Sequence, residues 1–204
     1  MRAGGGAMAI VNGAGACALA VSLVVLGQVP AAYAVPGPAP GPSPVQAQAD
    51  VLPAKMTEAL DGYRRDAADA ALGNPVMYGD GQCYPLIQHY IEALGAPWRN
   101  TDPSGNAFDL YEHFPTNGLS QFFDQIPFAG GANQPQVGDI AVYGPGGFVS
   151  EHGHAAVVTA VDRNSFPFRY ETADQNSGGR LFVTLNWRDF NPAYNTLGYL
   201  RPKA

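Results

Sequence analysis

The chain predicts an α+β domain, helices first and an antiparallel sheet afterwards. Two observations carry this. Apolar residues recur at helical spacing before residue 95, whereas alternating, β-branched runs separated by short turn-rich connections fill the stretch after residue 138. Connections that short favour antiparallel pairing, and this order of elements is that of an α+β domain.

The N-terminal residues read as a targeting segment. Arg2 is the sole charged residue before Asp50, Ala14 to Leu26 is almost continuously apolar, and Ala32-Tyr33-Ala34 has the small-x-small pattern of a signal-peptidase site. Residues 1–34 therefore read as a secretory signal peptide. The alternative is an uncleaved membrane anchor through residues 7–29, which carry no charge. Either places the domain outside the cytoplasm, secreted or associated with the cell envelope. Residues 35–55, rich in Pro, Gly, Ala and Gln, read as a solvated linker. With Cys17 removed alongside the signal, Cys83 would be the remaining cysteine, so no intramolecular disulfide could form.

Residues 56–204 form the expected domain. Met56, Leu60, Tyr63, Ala67, Ala70 and Ala71 fall on one helical face, and Asn74-Pro75 ends that helix. A Gly/Asp-rich loop from Tyr78 then leads to a second helix, with Leu86, Ile87, Tyr90, Ile91 and Leu94 on its apolar face. Pro85 suits only the first turn, and Gly95 with Pro97 closes the helix. The stretch from Trp98 to Gln136 is irregular, with a short helix near Ala107 to His113 and an apolar pair, Phe122-Phe123. Strands are expected at residues 139–143, 154–161, 168–172, 181–185 and 196–200.

At 204 residues with a formal charge of -6, and with no block of Lys or Arg, the chain lacks the footprint of a nucleic-acid binder. Its chemistry gathers at Cys83 instead. A thiol at a helix start meets free backbone N–H groups and the positive end of the dipole, both of which favour thiolate. His154, at the start of an expected strand, is a candidate base, since imidazole takes a thiol proton and later protonates a leaving amine. A third polar group orients such an imidazole. Asp174 and Asn176 offer suitable side chains, and Glu171 competes with them.

Gly79-x-Gly81-Gln82-Cys83, Val137-Gly138-Asp139-Ile140-Ala141-Val142, Gly153-His154-Ala155-Ala156-Val157-Val158 and Asp174-Gln175-Asn176, in that order, resemble the CHAP family of cysteine, histidine-dependent amidohydrolases/peptidases. The resemblance covers roughly residues 56–201. It implies a papain-like (NlpC/CHAP-type) fold and cleavage of amide bonds in peptidoglycan, as an amidase or an endopeptidase, by a monomer without a cofactor. Cys83 matches the nucleophile and His154 the base. Asp174 stands where the family usually has Glu, and Asn176 matches its Asn. Gln82 is the expected oxyanion contributor with the Cys83 backbone N–H, and Tyr78 a further support. Pro85 stands where many members have an Asp that some use for calcium, so no calcium site is expected.

Other readings remain open. His152-x-His154 with Cys83 and Asp174 could supply N, S and O ligands to zinc, with strand alternation placing both imidazoles on one face. A catalytically inactive exported module that binds wall peptides or a partner protein would keep the fold and lose the chemistry. For the enzyme, the rate is expected to fall when His154 is protonated.

Overall fold

The computed structural model describes residues 44–99 and 104–203. The signal peptide or anchor expected at residues 1–34, and residues 35–43 of the expected linker, lie outside the described residues. Among the described residues no helix is long and apolar enough to cross a membrane.

The first helix, α1 (Pro44–Ala71), starts before Leu52 and takes in residues 44–55 of the expected linker. The Ala and Gln residues of that stretch lack apolar periodicity, yet they are good helix formers, and proline is well placed at a helix start. Pro53 sits inside the helix and withholds one backbone N–H. Along the C-terminal half, Ala59, Leu60 and Tyr63 are buried. The Tyr63 hydroxyl pairs with His89 Nδ1 at 2.9 Å, tying α1 to α2 (Cys83–Ala93).

α2 buries Leu86, Ile87, Tyr90 and Ile91, the face expected from their spacing. At its far end Gly95 adopts φ 86°, the left-handed conformation that ends helices at low cost to glycine. A single-turn helix, α3 (Asp109–Glu112), follows within the irregular region.

Six strands make one antiparallel sheet: β1 (Phe123–Pro127), β2 (Ile140–Tyr143), β3 (His154–Asp162), β4 (Arg169–Asp174), β5 (Thr184–Asp189) and β6 (Thr196–Pro202), in the order β1-β6-β2-β3-β4-β5. Alternation splits the central strands between two apolar layers. Ile140, Val142, Ala155 and Val157 face the helices. Ala141, Tyr143, Ala156 and Val158 face an aromatic layer with Tyr170 and Tyr199.

Two strands differ from expectation. β1 lies in the stretch read as irregular, because Asp124, Gln125 and Pro127 mask its pattern and its partner, β6, is distant in sequence. The fifth strand was expected at 181–185 from its apolar run. It lies instead at Thr184–Asp189, because the polar side chains of Thr184, Asn186 and Arg188 turn together toward Asp174. With helices on one face of an antiparallel sheet, the domain is α+β and papain-like.

Candidate active site

Cys83 is the first residue of α2, reached through a loop whose turns need glycine. Gly79 and Gly81 hold φ 56° and 82°, and Gln82 is extended at φ -73°, ψ 164°. A Cβ on Gly81 would stand 2.5 Å from the Leu181 carbonyl oxygen. The loop is clamped from the sheet by the buried Gln175. Its Nε2 donates to the carbonyls of Tyr78 (3.0 Å) and Gln82 (2.9 Å), and its Oε1 accepts from the Tyr78 N–H (2.6 Å). The segment that presents the thiol is thereby fixed to the end of β4.

His154 opens β3, directly across from that helix end. Its Nε2 lies 3.1 Å from Asp174 Oδ2, which leaves Nδ1 as the nitrogen for Cys83. The imidazole and the Ala155 N–H both stand near the Cys83 sulfur and favour its ionised form. Asp174 is wholly buried. Thr184 Oγ1 (3.2 Å) and Asn186 Nδ2 (2.6 Å) donate to its Oδ1, and the Arg188 guanidinium donates to its Oδ2. Arg188 is itself held by Thr172 Oγ1, which accepts from its Nε at 3.0 Å, and by the rings of Tyr143 and Tyr194, each 5.2 Å away.

These contacts set the charges. Burial pushes the Cys83 thiol up, but the hydrogen bond and charge of His154, with the Ala155 N–H, outweigh it and leave the thiol below its ordinary value. Burial would lower His154, yet its bonds to Asp174 and Cys83 push it up to about 9. Asp174 is pushed up by burial and brought down further by His154 and Arg188, so it stays a carboxylate. The arrangement favours the charged forms, a thiolate beside an imidazolium with a carboxylate behind.

The remaining expected residues are placed unequally. Glu171 accepts from Thr159 Oγ1 at 2.7 Å, so the carboxylate on His154 is that of Asp174. Asn176 donates from Nδ2 to Gln82 Oε1 at 2.6 Å. Gln82 is exposed beside the thiol, whereas the Tyr78 hydroxyl turns away and donates to Asp66 (2.7 Å). Among the described residues no three His, Cys, Asp or Glu side chains group as a metal site. The two histidines do not share a strand face, because Gly153 at φ 71° breaks the alternation. His152 instead lies near Asn106, with Nδ1 3.1 Å from its Oδ1.

Thr184, Asn186 and Arg188 escaped the sequence reading. Their signal was a polar residue at every second position, which marks a strand face as surely as an apolar one when the face serves a buried charge.

A cleft of about 880 Å³ opens over Cys83 and His154. Ser104, Phe148, Ser150 and His152 lie among its lining residues, as do Asn176, Ser177, Asn186 and Trp187. Among the described residues no Asp or Glu lines it, although the chain as a whole is acidic.

Residues 73–176 match the CHAP domain family. A D-alanyl-L-alanine endopeptidase of Streptococcus phage B30 is 26% identical over 114 residues, which is 56% of this chain and 21% of that protein. The chain thus spans only a minor part of that relative. Two crystal structures of Ly7917, one of them with the hydrolyzing product of MDP, share the fold at a TM-score of 0.52, with 24% and 22% identity. Each alignment covers 72% of this chain and 62% of the other.

Proposed function

Because the chain belongs to the CHAP domain family, we propose that it is a peptidoglycan hydrolase in which Cys83 cleaves an amide bond, as an N-acetylmuramoyl-L-alanine amidase or a peptide-stem or cross-bridge endopeptidase. The observation that carries this reading is the run of contacts from Cys83 through His154 to Asp174, opening onto the cleft. The described lining, which holds Arg188, His152 and His154 and among the described residues no carboxylate, suits stem peptides, which bear free carboxylates of their own.

The thiolate attacks the peptide carbonyl, forming a C–S bond as the carbonyl π pair moves to oxygen. The Cys83 N–H at the start of α2 and the Gln82 amide donate to that oxygen. Collapse expels the amine, which takes a proton from the His154 imidazolium. Neutral His154 then removes a proton from water as it attacks the thioester, releasing a carboxylate product and restoring the ion pair. Asp174 holds the imidazole throughout. On this reading the apolar stretch before residue 35 directs export, since the substrate lies outside the cytoplasm.

Digestion of purified cell walls by the wild-type protein and by Cys83→Ala, with mass spectrometry of the released fragments, tests the reading and names the bond. New amine and carboxyl ends made by the wild type alone are expected. Equal absence of release by both folded proteins, across several wall types, would instead favour a binding module.

A further inference from the structure

We propose that Asn176 is a positioning residue for Gln82: it holds the Gln82 side chain so that the amide nitrogen, and not the amide oxygen, faces the carbon attacked by Cys83. The inference rests on the reading of Cys83 as nucleophile and concerns a different group from the one that orients His154.

An uncharged amide beside a thiol presents either end with little preference, and only a donor stabilises the oxygen of a tetrahedral adduct. Gln82 therefore needs something to choose its orientation. Its neighbours on the loop cannot, because their bonds to Gln82 use its backbone: Asp80 Oδ1 accepts from the Gln82 N–H at 3.1 Å, and Gln175 donates to its carbonyl. The side chain is engaged by Asn176, whose Nδ2 donates to Gln82 Oε1 at 2.6 Å. With the oxygen occupied, the Nε2 hydrogens are left for the cleft, which both residues line.

Asn176 is suited to hold its place. It sits at φ 56°, a left-handed conformation that asparagine tolerates, and its N–H donates to the Arg180 carbonyl at 2.7 Å. His154 is meanwhile engaged by Asp174 and Cys83. The three consecutive residues at the end of β4 thus divide the work: Asp174 orients the base, Gln175 clamps the nucleophile loop, and Asn176 orients the oxyanion donor.

The test uses Asn176→Gly, which suits the left-handed backbone, together with Gln82→Ala and the double variant. Two quantities are measured on each: the rate of iodoacetamide alkylation of Cys83 against pH, and the protection from alkylation by N-acetyl-alaninal. The thiolate adds to this aldehyde, and the oxygen of the resulting hemithioacetal takes the His154 proton; as a hydroxyl it still accepts from the donors that meet a tetrahedral adduct, so protection reports those donors without turnover. Both single variants should weaken protection about tenfold, the upper range for one lost hydrogen bond to an uncharged group, and the double no further than Gln82→Ala alone. Alkylation against pH should match the wild type in all of them. A shifted alkylation profile in Asn176→Gly, unchanged protection in either single variant, or additive losses would overturn the assignment. Wall digestion by the wild type is scored separately, so failure of the hydrolase reading leaves this outcome legible.

Discussion

Asp174 stays ionised with no exposure to water because Thr184, Asn186, Arg188 and His154 all converge on its two oxygens. A buried carboxylate stripped of a partner is costly, more so than the intact pair is stabilising. Arg188→Met should therefore lower stability by about 3–5 kcal/mol, the usual cost of breaking a buried pair. Urea unfolding followed by tryptophan fluorescence would measure it, and a loss below about 1 kcal/mol would mean that the site relaxes or takes in water. The same charges alter the pH dependence expected from the sequence. From the sequence, the rate is expected to fall when His154 is protonated. With the thiol below its ordinary value and His154 raised to about 9, the contacts favour protonated histidine beside the thiolate. The rate of wall hydrolysis should fall in acid, as the thiolate takes up a proton. It should fall again above about pH 9, as His154 loses its own. A profile that keeps rising past pH 10 would count against the ion pair.

At the scale of elements, the site depends on how a loop meets a helix. Alanine at Gly81 would need a left-handed backbone and would press on the Leu181 carbonyl, so the loop must move and carry Cys83 with it. Gly81→Ala should lower hydrolysis by at least tenfold while costing only about 1–3 kcal/mol of stability, the range for one strained residue. Activity and thermal unfolding measured together would show it, and full activity would mean that the loop position is immaterial. α2, the central strands and the placing of Cys83 beside His154 were legible because apolar periodicity and motif order report them directly. β1 and the true start of β5 were not, since their positions depend on pairing across the sheet and on polar contacts. Nor could spacing alone choose Asp174 over Glu171, or send Asn176 to Gln82; those contacts exist only once β4 and the loop before α2 are packed together.

For the molecule as a whole, the buried carboxylate links folding to acidity. Asp174 titrates below its ordinary value of 3.8 in the folded state, against the effect of burial, because His154 and Arg188 favour its charged form. Its contribution is therefore complete above about pH 4 and is lost as pH falls through the lower, folded value. Compared with Asp174→Asn, the wild type should hold its largest stability margin above pH 4, and that margin should narrow toward pH 2. Urea midpoints at both pH values measure it, and a constant margin would place the stabilisation elsewhere. His154 works in the opposite direction: raised to about 9, it contributes fully below its unfolded value of 6.5 and less as pH rises through 9.

Three of the four groups that hold the Asp174 carboxylate, Thr184, Asn186 and Arg188, stand on β5, the last strand of the sheet, which among the described residues pairs with β4 alone. An outermost strand opens at lower free energy than the strands inside it. When β5 frays, Thr184, Asn186 and Arg188 leave together, and the carboxylate behind the imidazole loses its support while the apolar layers at the centre of the sheet stay packed. The protein can thus fall silent without unfolding, and amide exchange along residues 184–189 would report what fraction of the folded molecules is competent at any instant.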